Sequence, residues 1–186
     1  VIFNKHLHLE GTHAFLSASN SSWVNYDDEK LEARYTSAMA AQRGTELHAL
    51  AKECIRLGIK LPDTQTTLNM YVNDAIGYRM VPEQTLFYSY NCYGTPDTIG
   101  FRRGMLRIHD LKTGVTATSE RQLKVYAALF CLEYEVKPME IESELRIYQS
   151  NEIRVYDHDP DEITHIMSKI VMFDKRIEEI RAEVDA

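Results

Sequence analysis

The chain of 186 residues has 44% apolar and 26% charged side chains and a formal net charge of −7, the balance of a soluble globular protein with room for a substantial core. Collagen-like, low-complexity and largely disordered chains are excluded, and no apolar run approaches the roughly 20 residues of a membrane-spanning helix. Three widely spaced cysteines, Cys54, Cys92 and Cys131, offer neither a disulfide framework nor a zinc ribbon, and the opening residues lack the pattern of a secretory signal, so a reducing cytoplasm is the expected compartment.

Ser17 to Ser22 form a polar segment leading into Trp23. Residues 37–57 predict a helix, with Met39, Leu47, Leu50, Ala51, Cys54 and Ile55 at helical spacing and Gly58 and Pro62 as its stop. A second helix is predicted over 66–76, ended by Gly77. From Gln84 to Lys112 the pattern turns to strands, broken at Gly94 and at Arg103-Gly104. A helix over 119–133, a strand over 139–148 and a short strand over 153–156 follow. The last helix starts near Pro160, with Asp157, Asp159 and Asp161 suited to cap it. Its residues Ile163, Ile166, Ile170, Phe173, Ile177, Ile180 and Val184 form a two-in-seven apolar seam, able to pack on a sheet or on a partner helix. The expected architecture is a single domain, 1–186, in the order α-α-β-β-β-α-β-β-α.

Charge is uneven along the chain. Residues 94–126 carry six basic side chains against three acidic ones, whereas residues 127–186 carry seven against fifteen. In the basic window, Arg102, Arg103, Arg107, Arg121 and Lys124 are candidates for contacting a polyanion despite the acidic total, because screening confines charge effects to about 8–10 Å.

The same window carries a chemical pattern. A tight turn at Arg103-Gly104 places Asp97 across from Asp110, and alternation puts Asp97, Asp110 and Lys112 on one face. Ile99, Phe101, Leu106 and Ile108 continue that face as an apolar floor. Carboxylates about 5 Å apart repel each other, a cost relieved by protonation or by a divalent cation between them. Magnesium favours such oxygen donors, and a lysine two residues on can orient a water or neutralise a phosphate. An ordinary hairpin with surface acids is the plainer reading of this spacing.

Pro96-Asp97 followed by Asp110-Leu111-Lys112 resembles the PD-(D/E)xK nuclease motif. The context is similar to the RecB-type exonuclease branch, phage exonucleases included. Gly94-Thr95-Pro96-Asp97, Ile108-His109-Asp110-Leu111-Lys112-Thr113-Gly114 and Gln122-Leu123-Lys124-Val125-Tyr126 follow in the branch's order. Upstream, Arg43-Gly44-Thr45-Glu46-Leu47-His48 resembles its Gly-x-x-x-His helix motif, and Leu16-Ser17-Ala18-Ser19 with Trp23 resembles the start of phage-type members. The likeness spans residues 16 to about 135.

The resemblance implies a restriction-endonuclease-like α/β core, a mixed central sheet flanked by helices. It implies a DNA nuclease dependent on Mg2+ or Mn2+, an exonuclease of phage recombination or DNA processing ahead of an endonuclease of the same fold or a decayed DNA- or protein-binding module. His48, Asp97, Asp110 and the Leu111 backbone carbonyl would be metal ligands. Lys112 would position or activate the attacking water, and Gln122 and Tyr126 would steady Lys112 or the DNA backbone. Other roles are open to these side chains: a core histidine for His48, a capping box with Ser119 for Gln122, a core position for Tyr126. Glu83 is a further candidate carboxylate. No iron–sulfur cluster is expected from cysteines so far apart. The expected partner is DNA, with the seam of the last helix available to a second copy or a recombination protein.

Overall fold

The computed structural model describes residues 4–184. The chain divides into two compact units, Val1–Arg43 and Gly44–Ala186.

In the first unit, short 3₁₀ turns at Leu7–Leu9 and Ser21–Asn25 precede helix α1, Asp28–Leu57, which continues into the second. The Trp23 indole donates to the Ser17 carbonyl at 2.8 Å and pins the polar segment. Phe15 and Tyr35 meet edge to face at 5.2 Å. Helix α1 begins well ahead of its predicted start at residue 37. Asp27 Oδ1 accepts the Lys30 N–H at 2.8 Å, and Asp28 and Glu29 occupy the first turn. Residues 28–36 are therefore helical through capping and propensity; they carry no apolar stripe to announce it.

The second unit contains the rest of α1, then α2 (Thr67–Gly77), β1 (Val81–Pro82), β2 (Leu86–Ser89), β3 (Cys92–Gly94), β4 (Thr98–Arg102), β5 (Met105–Leu111), α3 (Arg121–Glu133), β6 (Glu142–Gln149), β7 (Glu152–Tyr156) and α4 (Pro160–Val184). Five strands form one mixed sheet in the order β1-β4-β5-β6-β7, parallel at β5–β6 and antiparallel elsewhere; β2 and β3 form a separate ribbon. The protein is thus mixed α/β, with four helices and a mixed five-stranded sheet among the described residues. The stretch predicted as three strands holds four, shared between two sheets, and β1 precedes them. The ribbon is short and bulged, and β1 is two residues long and ends in proline, so neither carries an alternation long enough to read.

The β4–β5 hairpin turns through Arg103 and Gly104, both at positive φ (51° and 77°). A two-residue turn of that kind matches the strand twist and fixes the register, Thr98 facing His109 and Ile99 facing Ile108. Strand β5 then crosses through α3 to parallel β6, as a βαβ unit must. Central β5 is buried on both faces. Leu106 and Ile108 join Leu123, Ala127, Leu145, Ile147 and Ile163 in one core. Leu111 and Tyr148 join Ala51, Tyr71, Val72 and Ala75 in another.

The loop from β5 to α3 is tied to β6 and β7. Gln149 Nε2 donates to the carbonyls of Gly114 (2.6 Å) and Thr116 (2.8 Å), and Arg154 donates to the Thr118 carbonyl (3.1 Å) and to Gln149 Oε1 (2.7 Å). The acidic run before α4 acts as a cap, Asp159 Oδ1 accepting the Glu162 N–H at 2.9 Å. No helix among the described residues is long and apolar enough to cross a membrane.

Candidate active site

The hairpin register carries the acids together. One step beyond Thr98 and His109, Asp97 lies beside Asp110, and Asp97 Oδ2 accepts the Leu111 N–H at 2.8 Å. Asp110 is 4% exposed. The Lys112 ammonium donates to Asp110 Oδ1 at 3.0 Å. Asp110 Oδ2 is buried and has no hydrogen-bond partner among the described residues, although the same ammonium lies 3.0 Å away, out of line for a bond.

Helix α1 delivers the imidazole. A Cβ on Gly44 would stand 2.7 Å from Thr113 Oγ1, so the helix passes close to the segment after Lys112 only because glycine is there. One turn on, His48 Nδ1 reaches 3.5 Å from Asp97 Oδ1. That hydrogen bond, with the nearby charge of both acids, raises the His48 pKa against an opposing effect of burial.

Helix α3 supplies the remaining pair. Lys112 Nζ donates to Gln122 Oε1 at 3.4 Å, Gln122 Nε2 donates to the Tyr126 hydroxyl at 3.0 Å, and that hydroxyl donates to the Thr95 carbonyl at 3.1 Å. Gln122 therefore spends its amide on the lysine and the tyrosine. The Ser119 hydroxyl instead accepts the Arg121 N–H, at 3.1 Å. Tyr126 is half-buried, which raises its pKa.

Two side chains that the sequence did not single out border the group. Lys52 and Tyr71 line a small cleft with His48, Glu83 and Asp97. Lys52 forms an ion pair with Glu83, whose N–H donates to the Asp97 carbonyl at 3.0 Å. Lys52 was findable, since it stands four residues after His48 on the same helix.

The basic candidates do not gather here. Arg102 ends β4 and Arg103 opens the hairpin turn, about 17 Å of extended strand from Asp97. Arg107 alternates onto the other face of β5, where it pairs with Glu144 at 3.2 Å and lies over the Tyr78 ring at 4.4 Å. Lys124 is held between Glu120 and Glu162. Arg121 borders a groove between α3 and α4. Lys112 is the basic-window side chain placed against the acids.

Burial, reinforced by the charge of Asp97 and opposed by Lys112, pushes the Asp110 pKa up to about 6. The neighbouring His109, on the other face of β5, is driven down to about 3, first by burial and then by Arg146 and Arg107. The two shifts act oppositely on stability. His109 alone makes the fold lose stability as pH falls below its ordinary 6.5; Asp110 alone makes it lose stability as pH rises from its ordinary 3.8 to about 6. Between about pH 4 and 6 the pair holds one proton in either state, on Asp110 when folded and on His109 when unfolded, and its contributions cancel. In His109→Gln, stability should fall with rising pH across that window by about 1.4 kcal/mol per unit more than in the wild type. Urea unfolding at several pH values reads the difference, and equal slopes would refute the assignment.

Among the described residues, no three His, Cys, Asp or Glu side chains already close around a metal position; His48 and Lys112 are engaged with the two carboxylates instead. The donor set nevertheless fits a divalent cation. Two carboxylates lie side by side at the end of the hairpin, an imidazole adjoins them, and among the described residues a buried oxygen of Asp110 accepts no hydrogen bond. The cysteines are free, with Cys54 and Cys131 buried and Cys92 half-buried. No protein-family model, curated protein or solved structure matches the chain.

Proposed function

We propose that this chain is a divalent-metal-dependent DNA nuclease with a restriction-endonuclease-like core, an exonuclease of phage recombination or DNA processing. The observation that carries the reading is the meeting of Asp97, Asp110 and Lys112 at one end of the β4–β5 hairpin, with a buried Asp110 oxygen that, among the described residues, accepts no hydrogen bond and has only the charge of Lys112 beside it. A stable fold has little reason to bury such a group without a ligand to meet it.

Asp97 and Asp110, with His48 and the Leu111 carbonyl, would hold Mg2+ or Mn2+, which when bound supplies Lewis-acid polarisation of a phosphodiester and acidifies water. Lys112 has three donors. One is spent on Asp110 and one on Gln122, which leaves one to orient the attacking water or to meet charge developing on the phosphate. Gln122 and Tyr126 relay that position to the Thr95 backbone, so the ammonium is held from two elements. In the hydrolysis the water oxygen bonds to phosphorus as an ester P–O bond breaks, and the departing oxygen leaves as a hydroxyl.

The test is incubation with Mg2+ or Mn2+ and single-stranded, blunt linear or covalently closed circular DNA. Linear substrates should be degraded from their ends, circles should persist, and chelation should stop the reaction. Cleavage of circles would replace the exonuclease with an endonuclease. Inertness toward every substrate with both metals would end the nuclease reading.

A further inference from the structure

The seam of α4 changes its surroundings halfway along. Ile163 and Ile170 are 1% and 9% exposed and lie in the core against α3, whereas Phe173, Ile177, Ile180 and Val184 are 55%, 40%, 45% and 79% exposed. The 3-4 spacing continues unbroken past the point where the protein's own core stops covering it. Beside it runs an apolar groove of about 660 Å³ between α3 and α4, lined by Cys92, Val125, Ile166, Ile170, Phe173 and Ile177. A contiguous stripe of large apolar side chains on a surface is the mark of an interface.

The charges flanking the stripe identify the occupant. We infer that the exposed half of α4 pairs with α4 of a second copy of this chain, antiparallel, across a two-fold axis between Ile177 and Ile180. In that register Ile177 meets Ile180 of the second copy and Phe173 meets Val184. Arg176 then faces Glu183 of the second copy, and Asp174 faces Arg181, each pairing repeated by symmetry. A parallel pairing of the same seam sets Arg176 against Arg181 of the second copy, a like-charge contact. Both flanking contacts of the antiparallel pairing are thus complementary, whereas the parallel one sets Lys169 against Asp174 but Arg176 against Arg181, so the charges favour the antiparallel orientation.

The fold leaves these groups in place for the contact. Asn91, in the β2–β3 turn, bonds to both Asp174 (2.9 Å) and Arg181 (2.8 Å) and orders that flank. On the other flank Arg176 lies 3.3 Å from Glu183 of its own helix, but both side chains are more than half exposed. Such a solvent-exposed pair is weak and exchangeable for a desolvated one. The dimer does not depend on the nuclease reading.

Light scattering of the eluting 186-residue chain tests the inference. The wild type should have twice the 21.5 kDa chain mass. Arg176→Glu and Glu183→Arg, each placing like charges across the axis, should each weaken dimerisation by about tenfold or more. An equimolar mixture of the two variants should recover the dimer, because the first then offers two acids to the second's two bases. In that mixture the intrahelical 176–183 pair is broken in both chains, so only contacts between copies can restore it. A wild type that stays at single-chain mass at all concentrations overturns the proposal and leaves the seam to another partner. A tighter dimer in Arg176→Glu, or a mixture that stays monomeric, overturns the antiparallel pairing.

Discussion

Asp110→Asn should lower divalent-dependent DNA cleavage by about 10³-fold or more while making the metal-free protein harder to unfold. Both effects have one cause. Asp110 is buried beside a second carboxylate with Lys112 as its counter-charge, and its pKa is raised to about 6. Above that pH the fold carries an ionised group it would shed if it could. An amide of the same shape removes the charge and loses the lysine ion pair, so at pH 8 the variant should gain about 1–3 kcal/mol in urea. Added Mg2+ should stabilise the wild type and not the variant, since ligand binding to the folded state alone raises stability by mass action. Lys112→Ala should match the loss of cleavage but lower metal-free stability, because it strips Asp110 of its ammonium. Cleavage by either variant at the wild-type rate would place the chemistry elsewhere.

Leu106→Ala should do the reverse, lowering stability by about 3 kcal/mol, or a melting temperature lower by roughly 6–12 °C for a chain of this size. Leu106 is 0% exposed, in β5 beneath α3, and deleting three carbons there leaves a cavity that the sheet cannot close. Cleavage well below the new melting temperature should survive, since Leu106 lies a strand's length from Asp110. Tyr90, 90% exposed in the β2–β3 turn, is the control: Tyr90→Ala should change stability by no more than about 0.5 kcal/mol. A loss at Leu106 no larger than at Tyr90 would mean that β5 is not the centre of the core.

The hairpin register was legible because two adjacent residues decide it. Arg103-Gly104 takes a turn with both φ values positive, and a two-residue turn leaves one pairing open to the strands. The meeting of Asp97 with Asp110 follows from that and from alternation. The role of Gln122 was not separable from a helix cap, because its spacing from Ser119 is that of a capping box. Its contact with Lys112 depends on how α3 lies over the sheet. Proximity in sequence did not gather the basic window around the acids: strand alternation sends Arg107 to the face opposite Asp110, and hairpin length carries Arg102 and Arg103 to its far end. The early start of α1 was hidden because its first turns bury almost nothing, and burial is what an apolar period records.

The grip of Gln149 and Arg154 on the backbone carbonyls between Lys112 and Gln122 gives that connection an unusual intolerance. A polar surface stretch rich in Thr and Ser is ordinarily where evolution inserts and deletes residues freely. Here each added residue would either tear three carbonyls from their anchors or swing Gln122 by about 100° around the helix axis, away from the ammonium it holds. Length variation among descendants of this chain should therefore accumulate in other connections, and β6 and β7 act as the ruler that sets the spacing of the groups beside them.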